Sequence, residues 1–238
     1  MTDSGATALL QRSRWAVVAL AASAAAAALG ILMTMRESSV VTEALGGDLS
    51  APSRIGSADI SRVQVARFQL ILLIVTALVF ILWFRRAEMN IRNWDARGLP
   101  FDEWWNVGGW LIPVANLIVP VRMTAVVWRA TDQSVSPEIG EEWKTRSLSP
   151  LVPLWWATWI GGLILSRLAS GQIGGADDLE GLRSGLQLSA ISNVLILAAA
   201  VLAILVVRAI TARQSTRAEF YRVSIPDPPV APATRESA

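Results

Sequence analysis

Apolar residues come in blocks along this chain, and the blocks give its first outline. Four are long and free of charge: WAVVALAASAAAAALGILMTM (15–35), FQLILLIVTALVFILWF (68–84), PLVPLWWATWIGGLILS (150–166) and LSAISNVLILAAAVLAILVV (188–207). A helix rises ~1.5 Å per residue and a bilayer's hydrocarbon core is about 30 Å thick, so each block is of spanning or near-spanning length. The pattern predicts four transmembrane helices. The first is rich in alanine, which predicts close helix–helix contact through small residues. Arg12 and Arg14 precede it, but its apolar run is long for a signal peptide, so it reads as an uncleaved anchor.

The intervening segments are polar. Residues 36–67, 85–103, 122–149 and 167–187 predict loops, the third opening with an amphipathic helix around 121–131. After the last span, RAITARQSTRAEFYR predicts a basic helical continuation. The organisation is then an N-tail at 1–14, a membrane domain at 15–217 and a proline-rich, disordered C-tail at 218–238.

One further apolar stretch, residues 104–121, breaks the pattern. It contains GGWLIPVANLIVP, with two prolines, a glycine pair and one asparagine. Pro113 cannot donate to the carbonyl of Gly109, nor Pro120 to that of Asn116, so a helix through this stretch loses two backbone hydrogen bonds. Irregular backbone survives at membrane depth only where protein or water covers it. The stretch is either a kinked fifth span or a re-entrant or interfacial hairpin.

Charge separates the two. If residues 104–121 turn back, both termini lie inside and the cytoplasmic face receives 15 of the 21 Arg and Lys residues. If the stretch crosses with the N-terminus still inside, only 8 remain there. The flipped five-span chain has 13 inside but puts Arg12, Arg14, Arg85, Arg86, Arg92 and Arg97 outside, next to the spans that usually set orientation. Cytoplasmic loops carry an excess of cations, which favours the first arrangement. In it Trp15, Trp83, Trp104, Trp105, Trp128, Trp155 and Trp156 also gather near one interface, where indoles prefer to sit. The expected fold is therefore an all-α integral membrane protein of four spans plus a Pro/Asn hairpin at 104–121, with five spans as the alternative.

Composition removes whole classes of chemistry. The chain has no cysteine and no histidine, which excludes disulfides, thiol nucleophiles and histidine-based metal or acid–base sites. The cations are scattered and interleaved with acids, which is not the footprint of a nucleic-acid binder. None of the four spans holds an ionisable side chain of the kind proton relays need. No phosphate-binding loop, zinc-protease or serine-hydrolase motif is present.

Several phrases resemble a known family: NIRNW, WW-VGGWLIPVANLIVPVR, VVWRAT, LWWATWI and RAITARQ. They are similar to a bacterial integral-membrane family catalogued as domain of unknown function 4328, over about residues 65–217. Pro113, Asn116, Leu117, Pro120, Trp128, Arg129 and Ala130 match its signature, whereas Phe101-Asp102-Glu103 and Val121 depart from it. The resemblance implies a multi-pass protein of the bacterial plasma membrane. It implies no activity.

Two sets of residues remain as candidate sites. Asn116 is the strongly polar side chain of the 104–121 stretch, suited either to a ligand in a cavity or to capping its own broken backbone. Asn93 and Asp95, with Arg92, Arg97, Asp102 and Glu103, crowd one short segment that could handle a lipid headgroup or a divalent ion, or form a solvated, salt-bridged loop. Asn93, Asp95 and Asn116 together make the candidate pocket. No catalytic, cofactor-binding or metal-binding residue is assigned. The leading expectation is a non-enzymatic component in the lipid bilayer that engages a protein partner or a second copy of itself. The alternatives are a small channel or facilitator lined by Asn116 and a lipid-headgroup enzyme using residues 92–103.

Overall fold

The computed structural model describes residues 3–48, 50–135 and 139–224. It is all-α, with helices α1 (Asp3–Leu45), α2 (Ala51–Asn93), α3 (Trp105–Leu111), α4 (Pro113–Asn116), α5 (Val119–Ala130), α6 (Leu151–Gly174) and α7 (Leu179–Ser224). A short 3-10 turn, Glu142–Thr145, lies between α5 and α6. Among the described residues four helices, α1, α2, α6 and α7, are long and apolar enough to cross a membrane. Three of the four uninterrupted apolar blocks lie wholly within one of them, and the block at 150–166 does so apart from Pro150, which caps α6.

The helices do not stop where the apolar blocks stop. The polar segments 36–67 and 167–187, read above as loops, are almost wholly helical, with turns only around residues 46–50 and 175–178. Polarity marks where lipid ends, and a helix can continue into water if it keeps a partner. Outside the first two spans, Val40, Val41, Ala51 and Ala58 form a narrow buried seam, and buried Glu37 binds Arg62 at 2.7 Å. Arg54 closes the tip by pairing with Glu43 and Asp48. Asp48 sits below the ordinary carboxylate range because the Ser50 hydroxyl and amide donate to it, with Arg54 nearby. The result is a two-helix stem. At the other end of the chain, α7 carries the basic continuation as helix to Ser224, so residues 218–224, placed above in the disordered C-tail, are helical, and residues 225–238 lie outside the described set.

α1 and α7 are central; α2 packs along α1, and α6 along α7. Small residues make this possible. Ala16, Ala26, Ala27, Ala199 and Ala203 are buried where α1 and α7 run together. At Gly162 a Cβ would lie 2.9 Å from Ile196, so glycine lets α6 approach α7, and Ser192 donates to the Gly162 carbonyl at 2.9 Å. In a bilayer the helices gain little from hydrophobicity alone, and such close contacts and hydrogen bonds supply the association.

Residues 104–121 form three short helices, not one. Ile112 is extended (φ −81°, ψ 118°), as expected of a residue before proline, and Pro113 opens α4. The second break falls at Leu117–Ile118, and Pro120 sits in the first turn of α5. A regular fifth span is therefore absent. α3 and α5 approach each other closely enough that a Cβ on Gly109 would lie 2.6 Å from Val119. Trp110 packs edge-on against Phe84 of α2 and Trp156 of α6, so the segment bridges the two outer helices.

Candidate functional site

The end of the bundle opposite the stem is closed by a strap of residues 94–101, 131–135 and 139–146. The strap forms because the end of α2 leaves helical geometry at Asp95, whose φ of 58° is left-handed. Arg97 then donates to the Gly140 carbonyl at 2.8 Å, and Gly140 and Ile139 donate back to Asp95 and Trp94 at 3.0 Å. Trp143 fixes the strap from below, its indole donating to the Arg97 carbonyl at 2.9 Å.

Under the strap lies a knot of buried polar groups. Glu88 is 4% exposed. It accepts from Arg92 Nε at 2.5 Å and from Asn106 Nδ2 at 2.7 Å, while Arg92 Nη2 reaches the Phe101 carbonyl at 2.7 Å. The knot thus joins α2, the strap and α3. Glu88 also lines a small pocket of about 10 Å³ with Leu99, Phe101 and Met123. The Oδ1 atoms of Asn90 and Asn106 are buried without a hydrogen-bond partner.

A second network ties α7 to α2. Trp83 Nε1 donates to Thr211 at 3.0 Å, Asn90 Nδ2 to Gln214 Oε1 at 2.8 Å, and Gln214 Nε2 to the Ala87 carbonyl at 2.9 Å. Two arginines of α7 then grip α5 and the strap. Arg213 stacks over Trp128 with 4.2 Å to the ring centroid, and Arg217 lies over Trp94 while donating to the carbonyls of Asp132 and Val135. Asp132 itself lies below the ordinary carboxylate range, chiefly because the Ser134 hydroxyl and amide donate to it, with Arg213 and Arg146 adding attraction.

The signature residues have definable places here. Trp128 carries the Arg213 stack, Pro120 is buried in α5, and the Leu117 carbonyl accepts from Trp156 Nε1 at 2.9 Å. Arg129 is half-buried with Nε lacking a partner, and Pro113 is exposed at the first break. Asn116 is half-buried, and its side chain caps neither α4 nor α5. Asn93 and Asp95 are exposed, and Asp95 pairs with Arg97 at 2.5 Å. Asn93, Asp95 and Asn116 line neither the Glu88 pocket nor the groove beside Arg85. Among the described residues no three acidic side chains come together in a way that could hold a metal ion.

Sequence reading passed over Glu88, Asn106, Thr211 and Gln214. Only Glu88 carried a local signal, its spacing of four from Arg92.

Comparison with known proteins gives one match. The family model described as Domain of unknown function (DUF4328) covers residues 47–212, from the turn before α2 into α7, and includes every signature position. No curated protein and no solved structure matches the chain.

Proposed function

The chain belongs to the DUF4328 family, and from that premise we propose that it is a non-enzymatic scaffold of the bacterial plasma membrane that binds a protein partner. One observation carries the reading. α1, α2 and α7 are 43, 43 and 46 residues long. At ~1.5 Å per residue such helices reach about 65–70 Å, twice the ~30 Å of the hydrocarbon core. Crossing needs only half of each. The remainder is held rigid by seams, ion pairs and the strap, and presents fixed surfaces in water on both sides of the membrane.

The topology that fits this reading has four spans and both termini in the cytoplasm. Residues 104–121 enter the strapped, cytoplasmic side and turn back. The close approach of Gly109 to Val119 and the exposure of Leu111, Ile112, Val114, Leu117 and Ile118 support a hairpin whose apolar tip rests in lipid. The bare tip would be costly in water, and the bilayer removes that cost.

Topology is tested by labelling. The chain has no cysteine, so single cysteines at exposed Thr145 and Thr216 report without background. Both are expected to resist a membrane-impermeant maleimide in intact cells and to react once the cells are opened. Labelling of both from outside overturns the arrangement.

Partner binding is tested by photo-crosslinking in cells at native expression. The probe replaces Ile60 on the stem, Thr216 on α7, or the lipid-facing control Leu78. A discrete protein adduct is expected from Ile60 or Thr216 and none from Leu78. Monomer alone at both aqueous positions defeats the scaffold reading.

A further inference from the structure

Beside the strap, α2 and α3 flank an open groove of about 500 Å³ lined by Arg85, Glu103, Trp104 and Val107. Arg85 directly follows the apolar block that ends at Phe84, so the groove opens at the level where lipid headgroups sit. We propose that it is a binding site for one phospholipid whose headgroup joins a phosphate to a primary ammonium. The proposal is independent of the scaffold reading and of which face is cytoplasmic.

The mouth of the groove presents both signs of charge. Arg85 Nη2 and Glu103 Oε1 stand 3.8 Å apart, with side chains 48% and 59% exposed. At that separation they attract each other without a hydrogen bond. Both residues line the groove. A guanidinium recognises a phosphate through paired N–H groups. The adjacent carboxylate would repel a purely anionic headgroup and accept N–H bonds from an ammonium.

The third wall holds that ammonium in place. Trp104 is 54% exposed, yet it packs against its own helix. Its ring lies so close to Gly108 that a Cβ there would come within 2.1 Å of it, and the Trp104 and Trp105 ring centroids are 4.3 Å apart. An exposed indole beside a carboxylate suits a cation. A choline group would use the indole but has no N–H to offer Glu103, so the site discriminates for the primary amine.

Below the mouth, two apolar rows descend. On α2, Leu82 and Leu78 continue the line of Arg85 at helical spacing, and both are exposed. On α3, Val107 and Leu111 continue the line of Trp104, and both are exposed. Trp110 meets Phe84 and then Phe80, so α3 runs back along α2 and the two rows lie side by side. They form a bed for acyl chains under the headgroup.

The test is lipid retention measured by native mass spectrometry. Protein in detergent is equilibrated with equal amounts of phosphatidylethanolamine, phosphatidylglycerol and phosphatidylcholine carrying identical acyl chains. The expected result is one retained phosphatidylethanolamine, favoured several-fold over each competitor. Glu103→Gln is expected to bring the ethanolamine-to-choline ratio close to one and to raise phosphatidylglycerol. Arg85→Gln is expected to lower retention of both phosphatidylethanolamine and phosphatidylglycerol. Both residues are on the surface, and an unchanged helical circular dichroism signal certifies each variant. Equal retention of all three lipids by the unmodified protein overturns the proposal. So does an ethanolamine preference indifferent to Glu103→Gln. A phosphatidylglycerol preference in the unmodified protein also overturns it, and points to an anionic headgroup.

Discussion

Replacing Arg92 by leucine destabilises the protein by about 3 kcal/mol, and adding Glu88→Gln to that variant recovers most of the loss. The side chain of Glu88 is only 5% exposed, and two donors hold its two oxygens. Removing Arg92 leaves a carboxylate in a low-dielectric site with a single amide for company. Losing one member of a buried ion pair typically costs about 3–5 kcal/mol, because the other charge is stranded. Arg92 is 30% exposed, so water replaces part of what it supplied, and the lower end of that range applies. A glutamine at position 88 still accepts from Asn106 and carries no charge to strand. Thermal unfolding in detergent, followed by circular dichroism, reads both variants. If the single and the double variant unfold alike, the knot is not an ion pair that the fold depends on.

The legibility of this site in the sequence was uneven, for a physical reason. Glu88 and Arg92 are four apart on one helix, a spacing that puts them on the same face whatever the fold. Asn106 belongs to another helix, and only the turn through the strap brings its amide to Glu88. Trp128 was legible as a signature residue, but the Arg213 that stacks on it lies 85 positions later. Likewise the carbonyl at Leu117 is freed by a break that Pro120 announces, while the Trp156 indole that satisfies it comes from α6. Local chemistry reveals which groups lose their partners. Tertiary structure decides which groups replace them.

The same distinction explains the stems. Four spans were legible because lipid demands an unbroken apolar run of fixed length. Residues 36–67 offered no such run, and their buried seam is a few small or branched residues among many polar ones. Such a seam has no meaning until α1 and α2 are known to lie antiparallel. The break at Ile112 was legible from Pro113 alone, since a proline constrains the residue before it without help from the rest of the fold.

Gly30→Val destabilises the membrane part of the bundle by about 2 kcal/mol, from lost hydrogen bonding and forced overpacking together. Gly30 marks the point within the apolar spans where α1, α2 and α7 meet. Gln69 of α2 donates to the Ala26 carbonyl at 2.8 Å and to Asn193 Oδ1 at 3.0 Å, and Asn193 donates to the Ser189 carbonyl at 2.9 Å. A Cβ on residue 30 would lie 2.6 Å from both the Gln69 nitrogen and the Asn193 oxygen. Valine therefore drives the two amides apart in a medium that offers no water to either. Asn193→Leu should cost about 1 kcal/mol in the native sequence and almost nothing once Gly30→Val is present, because the bond it removes is already gone. Fully additive costs would show that the amides do not share this junction. The position of the damage follows from the layering. α2 reaches the bundle chiefly through α1 along its apolar length, so the variant should show hydrogen exchange rising first in α2 around Gln69, while α6 and α7, held by Gly162 and Ser192, keep their protection.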